Sequence, residues 1–162
     1  MFDPTVIIHE RVSRWSPLLR PRFADLAVRW SETRSAASLT ESARRAICPI
    51  LLIPLDRDPI RGLRDFDAAL AFSPHALSLV LDAQDREDVL DAARELGATH
   101  CLGGTVVPPE VERIFQRWLP IARRREEAEG WSLSAEPTPE AWDDPERLFF
   151  AIGPTPSEVE PN

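Results

Sequence analysis

The most distinct hydrophobic feature of the chain is a short, unbroken apolar run over residues 48–55. Charged and turn-forming residues follow it at once, over residues 56–59. An apolar run of this length, without polar alternation, predicts a strand buried on both faces, and such strands belong to parallel sheets covered by helices. Ligands and reactive side chains usually lie at the carboxyl edge of such a sheet. We therefore expect any chemistry of this chain near residues 54–58.

Four other short apolar or β-branched runs predict strands. They lie at residues 5–8, within residues 28–33, and at residues 76–81 and 99–102. The segments between them have the apolar spacing of helices. Ser16 and Pro17 resemble an N-cap followed by proline at the first helical position, but Pro21 interrupts the pattern, so we expect the first regular helix to begin near Pro21 and continue through Trp30. The other predicted helices begin at a capping box over residues 38–41, at Pro59, at Asp85 or Asp88, and at Pro108. Pro120 should kink or fray the end of the last helix. The alternation indicates an α/β fold with a doubly wound, five-stranded parallel sheet.

Acidic residues are concentrated at the end of the chain. The 162 residues carry a formal net charge of −8, and residues 126–162 contain ten acidic residues and one arginine, a local charge of −9. Residues 1–125 therefore carry about +1, from 18 arginines and 17 acidic residues. A nearly neutral body has no net attraction for phosphates, which argues against nucleic-acid binding. The chain has no lysine, so a mechanism that needs an ammonium side chain is excluded.

The same change in charge suggests the domain organisation. We predict one domain over residues 1–125 and an acidic, proline-rich extension over residues 126–162, whose Trp131 and Trp142 favour partial packing on the domain. No apolar run reaches membrane-spanning length and no signal peptide is evident, so we expect a cytoplasmic protein without membrane contacts. Cys48 and Cys101 have no metal or redox spacing and are interpreted as buried, reduced thiols. We assign no metal and no cofactor.

Three short motifs resemble those of the response-regulator receiver domain. Residues 95–102 (ELGATHCL) and 108–111 (PPEV) are similar to the receiver's leader-glycine-alanine, fifth strand and start of the last helix. Residues 60–63 (IRGL) resemble the glycine-leucine that opens its third helix. The resemblance covers roughly residues 5–122. It implies the flavodoxin-like strand order 2-1-3-4-5 and a role in bacterial signal transduction.

The resemblance does not extend to the receiver's active positions. The acidic pair after the first strand matches His9 and Glu10, so one acid is kept. The phosphate-accepting aspartate matches Pro54, the hydroxyl residue after the fourth strand matches Asp82, and the lysine after the fifth strand matches Gly104. In receivers the acids hold a divalent cation, and the lysine and hydroxyl compensate the charge of the aspartyl phosphate. The resemblance therefore implies a pseudo-receiver, a receiver scaffold without the phosphorylation chemistry.

Asp56 is an alternative phosphate acceptor if the loop after the central strand is two residues shorter. The missing lysine argues against it, and so does the apolar run, which suits a strand continuing through Leu55. Asp56 would converge with His9, Glu10 and Asp82 at the carboxyl edge of the sheet. Two interpretations stay open there: a site for a divalent metal or small ligand, or ordinary polar residues at strand ends. We favour the second.

Two classes of function follow. The first is a phosphorylation-independent signalling module, not an enzyme, that binds a protein partner or a second copy through its fourth helix, fifth strand and fifth helix. Candidate residues of that face are Arg86, Arg94, Arg113, Gln116 and Arg117. The acidic extension would then inhibit the face or take part in partner binding through arginine–carboxylate pairs. The alternative is a small-ligand or metal sensor at the carboxyl edge, near Glu10, Asp56 and Asp82. No nucleophile and base are spaced for catalysis.

Overall fold

The computed structural model describes residues 3–55 and 57–134, with the backbone alone for residues 130–134. The strands are β1 (Thr5–His9), β2 (Arg29–Thr33), β3 (Ile50–Leu55), β4 (Leu77–Asp82) and β5 (His100–Gly103). The helices are α1 (Ser16–Leu19), α2 (Ala36–Arg45), α3 (Pro59–Phe72), α4 (Glu87–Glu95) and α5 (Pro108–Ser134), and a 3-10 turn, Arg20–Phe23, follows α1. The strands pair in parallel in the order β2-β1-β3-β4-β5. The predicted fold class and strand order are confirmed.

Helices cover both faces of the sheet. On one face, alternate side chains of β1, β3 and β4 pack against α1 and α5; this cluster includes Val6, Ile8, Ile50, Leu52, Leu79, Leu19 and Phe115. On the other face the remaining side chains pack against α2, α3 and α4; this cluster includes Ile7, Leu51, Ile53, Val80, Leu39, Phe66 and Ala93. Five of the six residues of β3 are buried, since the strand lies between β1 and β4 with both faces covered. This placement explains the unbroken apolar run in the sequence.

The strand order creates a crevice at the carboxyl edge, between β1 and β3. The chain leaves β1 into α1, which packs on one face of the sheet, and leaves β3 into α3, which packs on the other. The loops after these two neighbouring strands therefore diverge. Such a topological switch point is where open α/β sheets bind their ligands.

The strand predicted within residues 28–33 is confirmed as β2, but the prediction for the first helix is wrong. We expected it to begin near Pro21 and continue through Trp30, whereas the helical segment ends with the turn Arg20–Phe23. Trp30 lies instead in β2, opposite Val6 of β1. The apolar spacing over this segment is compatible with a helix, but pairing with β1 satisfies the backbone of residues 29–33, and tertiary context outweighs the local preference.

The prediction for the start of the second helix is also wrong, by three residues. The N-cap is Ser35, whose Oγ accepts a hydrogen bond from the Ser38 amide at 3.2 Å. The Ser38 hydroxyl in turn accepts from the Ser35 amide at 3.2 Å, so serine takes the place of the usual glutamate or glutamine in this capping box. Glu41, the acid expected in that role, pairs with Arg44 and Arg45 one turn further on. These ion pairs lower the pKa of Glu41.

Helix α5 continues through Pro120 to Ser134 and so passes the predicted domain boundary at residue 125. Residues 135–162, including Trp142, lie outside the described residues, and the division of the chain stays a prediction. No helix within the described residues is long and apolar enough to cross a membrane. Both cysteines are free: Cys48 is buried and Cys101 half-buried.

Candidate functional site

A cleft of about 320 Å³ opens at the carboxyl edge of the sheet. The loops that follow β1, β4 and β5, together with the end of β3, form its walls. Three residues that the sequence assigns to the degenerate receiver site, Glu10, Pro54 and Gly104, line it together. The structure therefore brings these three positions to one place.

Glu10 uses both carboxylate oxygens to hold the start of α1. Its Oε2 accepts from the Trp15 amide at 2.8 Å, and its Oε1 accepts from the Ser16 amide at 2.9 Å. The residue is 6% exposed. These amides belong to the first turn of α1, whose N–H groups have no partner within the helix. Glu10 is thus engaged in a structural contact at the wall of the cleft.

His9 lies on the opposite side of β1 and not in the cleft. Its Nδ1 is 3.0 Å from the Thr33 hydroxyl on β2, and its Nε2 is 3.1 Å from Oδ2 of Asp65 on α3. Asp65 also accepts from the Arg11 guanidinium at 3.2 Å. His9, Thr33 and Asp65 are all buried, so this polar chain joins β1, β2 and α3 inside the domain. The sequence analysis did not identify Asp65 as a site residue. The sequence did indicate its burial, because Asp65 lies four residues before Ala69 on the buried face of α3.

Asp82 is fully buried at the end of β4 and is held by Arg86 at the start of α4. Its carboxylate accepts from the Arg86 Nε at 2.9 Å, from a terminal guanidinium nitrogen at 2.6 Å and from the Arg86 amide at 2.8 Å. The Arg86 guanidinium lowers the pKa of Asp82 against the opposing effect of burial. Arg86, which we expected on the partner-binding face, therefore neutralises a buried carboxylate.

Pro54 and Gly104, which the sequence resemblance matches to the acceptor and the lysine of a receiver, both line the cleft. Pro54 is half-buried in β3, opposite Leu81 of β4. Gly104 has φ +75° and open space where a Cβ would lie. A lysine there would have room, but its backbone would need the left-handed conformation that favours glycine. Asp56, the alternative acceptor, lies outside the described residues.

The described residues offer no ready cation site. No group of three histidine, cysteine, aspartate or glutamate side chains within them is close enough to hold a metal ion. Four residues were expected to converge at this edge. Glu10 lines the cleft, His9 faces the other side of the sheet, and Asp82 is bound to Arg86. The fourth, Asp56, lies outside the described residues.

Arginines are the feature of this edge that the sequence analysis missed. A second depression, of about 610 Å³, adjoins the cleft and shares Val12, Arg14, Leu55 and Ala83 with it. Its walls carry four arginines, namely Arg11, Arg14, Arg57 and Arg61. Arg11 and Arg14 follow β1, and Arg57 and Arg61 follow β3. Their position directly after two predicted strands was the signal available in the sequence. Only Arg11 forms an ion pair within the described part of the chain.

The predicted partner-binding residues lie on the β5 side of the domain. Arg113, Gln116 and Arg117 are exposed on α5, three and four residues apart, and Gln116 donates to Glu112 at 3.1 Å. Arg94 is exposed on α4, where it pairs with Asp91. The two helices cover opposite faces of the sheet, and β5 is an edge strand between them.

No family model matches the chain, and no curated protein matches it. Solved structures share its fold. A CheY-like receiver domain from Methanospirillum hungatei JF-1 aligns with a TM-score of 0.65 at 9% identity, over 76% of this chain and 98% of its own. The receiver domain of a putative Luxo repressor protein from Vibrio parahaemolyticus aligns with a TM-score of 0.64 at 13% identity, over 79% and 98%. A Burkholderia pseudomallei response regulator with a phosphorylated aspartic acid, calcium ion and citrate aligns at 0.58 and 14%, over 92% and 85%. At these identities the likeness shows a receiver-type fold alone.

Proposed function

We propose that this chain is a degenerate receiver domain, a non-enzymatic signalling module that acts through protein–protein contacts without being phosphorylated. The observation that supports the proposal is that Pro54 and Gly104, the residues that the sequence resemblance assigns to the phosphate acceptor and the lysine, line one cleft at the carboxyl edge. Glu10 and Asp82, the acids near this edge, already accept hydrogen bonds from protein groups. With a proline and a glycine at these two positions, phosphoryl transfer in this cleft would lack the nucleophile and the lysine that receivers use.

Incubation with Mg²⁺ and acetyl phosphate, read by intact mass, tests the first half of the proposal. Beryllofluoride with Mg²⁺, read by melting temperature, is the non-covalent companion, and a phosphorylatable receiver run in parallel shows that the reagents are active. We expect no adduct and no shift. A stable adduct that disappears in Asp56→Asn would contradict the proposal, because it would identify Asp56 as a working acceptor.

The contact surface of the proposal is the face formed by α4, β5 and α5, which would bind a protein partner or a second copy of the chain. Among the described residues β5 is the last strand of the sheet, and no other described strand pairs with its outer side. Arg113 and Arg117 are exposed beside it and pair with no carboxylate of the described residues. An acidic surface, including the acidic extension of this chain, is the natural complement of such arginines.

Sedimentation of the full chain over a range of concentrations tests this face. We expect self-association that is weakened in the double variant Arg113→Glu/Arg117→Glu and retained in Arg64→Glu, an exposed arginine on α3. Truncation after Ser134, where α5 ends in the described chain, tests the role of the acidic extension without cutting the helix. If the wild-type chain is monomeric throughout, the homodimer version is wrong, and capture of a protein partner with the same variants then decides the assignment of the face.

A second candidate function, a small-ligand sensor, is supported by the concave crevice at the switch point between β1 and β3. The metal version has less support, because Glu10 and Asp82 are engaged elsewhere. Addition of Mg²⁺, Mn²⁺ or Zn²⁺ tests it, since a bound metal would raise the melting temperature. An unchanged melting temperature with all three ions removes the metal version.

A further inference from the structure

We infer that the crevice between β1 and β3 binds a small anionic molecule, one that carries phosphate or carboxylate groups next to an apolar part. Arg14, Arg57 and Arg61 would hold the anionic groups. The inference deepens the second candidate function by naming the class of ligand. It does not depend on whether the chain acts without phosphorylation.

The position of the arginines is the first argument. Arg14 lies in the loop after β1, while Arg57 lies in the loop after β3 and Arg61 in the first turns of α3. These loops flank the topological switch point of the sheet, and the three side chains line one depression of about 610 Å³. Ligands of open α/β sheets bind at this place, and the volume is within the range of small-molecule sites.

The second argument is that, among the described residues, these three cations lack partners while the carboxylates of Glu10, Asp65 and Asp58 have them. Within the described part of the chain, no ion pair or hydrogen bond engages the side chains of Arg14, Arg57 and Arg61. Glu10 accepts from two backbone amides, as described above. Asp65 is bound by His9 and Arg11.

Asp58 also lines this depression, and its Oδ1 caps α3 by accepting a hydrogen bond from the Arg61 amide at 3.1 Å. A bound anion would bring opposite charge to three guanidinium groups that line the same depression. Guanidinium groups also match the planar, paired oxygens of phosphate and carboxylate with two parallel hydrogen bonds.

The third argument concerns the rest of the ligand. The adjoining cleft of about 320 Å³ is lined by Trp15, Leu81 and Val106 as well as by polar groups. Val12, which lines both depressions, is 75% exposed and therefore available for contact. A ligand with an apolar or planar part beside its anionic groups would fill both depressions, as a nucleotide would. A bare inorganic anion would occupy only the arginine side.

Calorimetric titration of the full chain, in buffer without divalent cations, tests the inference with three probes: pyrophosphate, citrate and ATP. We expect at least one of them to bind, and to bind about tenfold or more weakly to Arg14→Gln and to Arg57→Gln, because each loses a charge-assisted contact. Arg64→Gln is the matched control, since Arg64 is an exposed α3 arginine that does not line the depression. If only pyrophosphate or ATP binds, the ligand carries phosphate groups. If only citrate binds, the ligand carries carboxylate groups.

Failure of all three probes to bind would overturn the inference. Equal weakening by Arg64→Gln would also overturn it, because binding would then reflect general attraction to exposed arginines. The substituted side chains are exposed, and unchanged melting temperatures of the unliganded variants would confirm that they fold. If Mg²⁺, Mn²⁺ or Zn²⁺ raises the melting temperature while the anions do not bind, the anion inference is overturned and the metal version of the second candidate function stands.

Discussion

Removal of the Arg86 side chain by Arg86→Ala should leave the carboxylate of Asp82 buried without its charged partner. Asp82 is 0% exposed, and the Arg86 side chain donates to it at 2.9 Å and 2.6 Å. Breaking a buried ion pair from one side destabilises a fold by about 3–5 kcal/mol. The Arg86 amide remains as a donor at 2.8 Å, and the Arg86 side chain is 24% exposed, so water can replace part of it. We therefore expect a loss near the lower end, about 3 kcal/mol.

Urea unfolding of the wild type, the single variants and the double variant Asp82→Asn/Arg86→Ala measures this loss. The neutral amide that Asp82→Asn introduces needs no guanidinium, so we expect the double variant to lose less than the sum of the two single losses. Arg86→Lys keeps the charge but cannot form the paired contact, and should recover only part of the stability.

The pH dependence gives an independent check on the same pair. Because Arg86 lowers the pKa of Asp82 in the folded state, the contribution of the pair is complete above the ordinary aspartate pKa of about 3.9 and is lost as pH falls through the lowered value. The difference between wild type and Arg86→Ala should therefore shrink in acid. A loss below about 1 kcal/mol at neutral pH, the size of an exposed ion pair, would refute the reasoning.

Two further predictions concern acids whose roles differ from those expected. Glu126 is 1% exposed, and no well-formed hydrogen bond from the described residues reaches its carboxylate oxygens. Burial raises its pKa, and Arg29 and the Cys48 amide oppose this effect. Folding stability is therefore highest below the ordinary glutamate pKa of about 4.3, where Glu126 is protonated, and falls as pH rises through the raised pKa. Glu126→Met should stabilise the fold by about 1–3 kcal/mol at neutral pH in urea unfolding, with Glu127→Gln as the exposed control. A pH profile that is the same for wild type and Glu126→Met would contradict this. Glu10→Ala should cost about 1–2 kcal/mol in the same assay, because it leaves the amides of Trp15 and Ser16 without their acceptor, and a smaller loss would mean that water replaces the carboxylate.

The elements that could be predicted from sequence are those whose local pattern agrees with their tertiary surroundings. The apolar run of β3 reflects burial on both faces, and Leu55, its last residue, was expected to end the strand. The prediction of the first helix failed because Trp30 fits the apolar spacing of a helix as well as it fits a strand. Only the pairing of Trp30 with Val6 decides between the two. The predicted start of α2 was wrong because Ser35 and Ser38 form the capping box, where a serine and an acid were expected.

The candidate site was predictable in its place but not in its contacts. Strand order alone brings Glu10, Pro54 and Gly104 to one edge, and the sequence motifs were enough to expect that. The roles of Glu10 and His9 depend on how the loop after β1 turns and on which residue of α3 faces it, and neither follows from spacing. The arginines that follow the same two strands were not predicted as site residues.

The proposed absence of phosphorylation and the inferred anion site are physically related. An aspartyl phosphate at the end of the third strand of a receiver places a negative charge at this edge of the sheet. An anion held by Arg14 and Arg57 would place a comparable charge at the same edge of this domain without a covalent bond.

If that charge favours one arrangement of the α4–β5–α5 face, anion binding and partner binding are coupled, and the coupling must be equal in both directions. The anion would then change the affinity for the partner by the same factor by which the partner changes the affinity for the anion, so either titration measures it. An anion that binds with identical affinity to the free and the partner-bound chain would exclude any such switch.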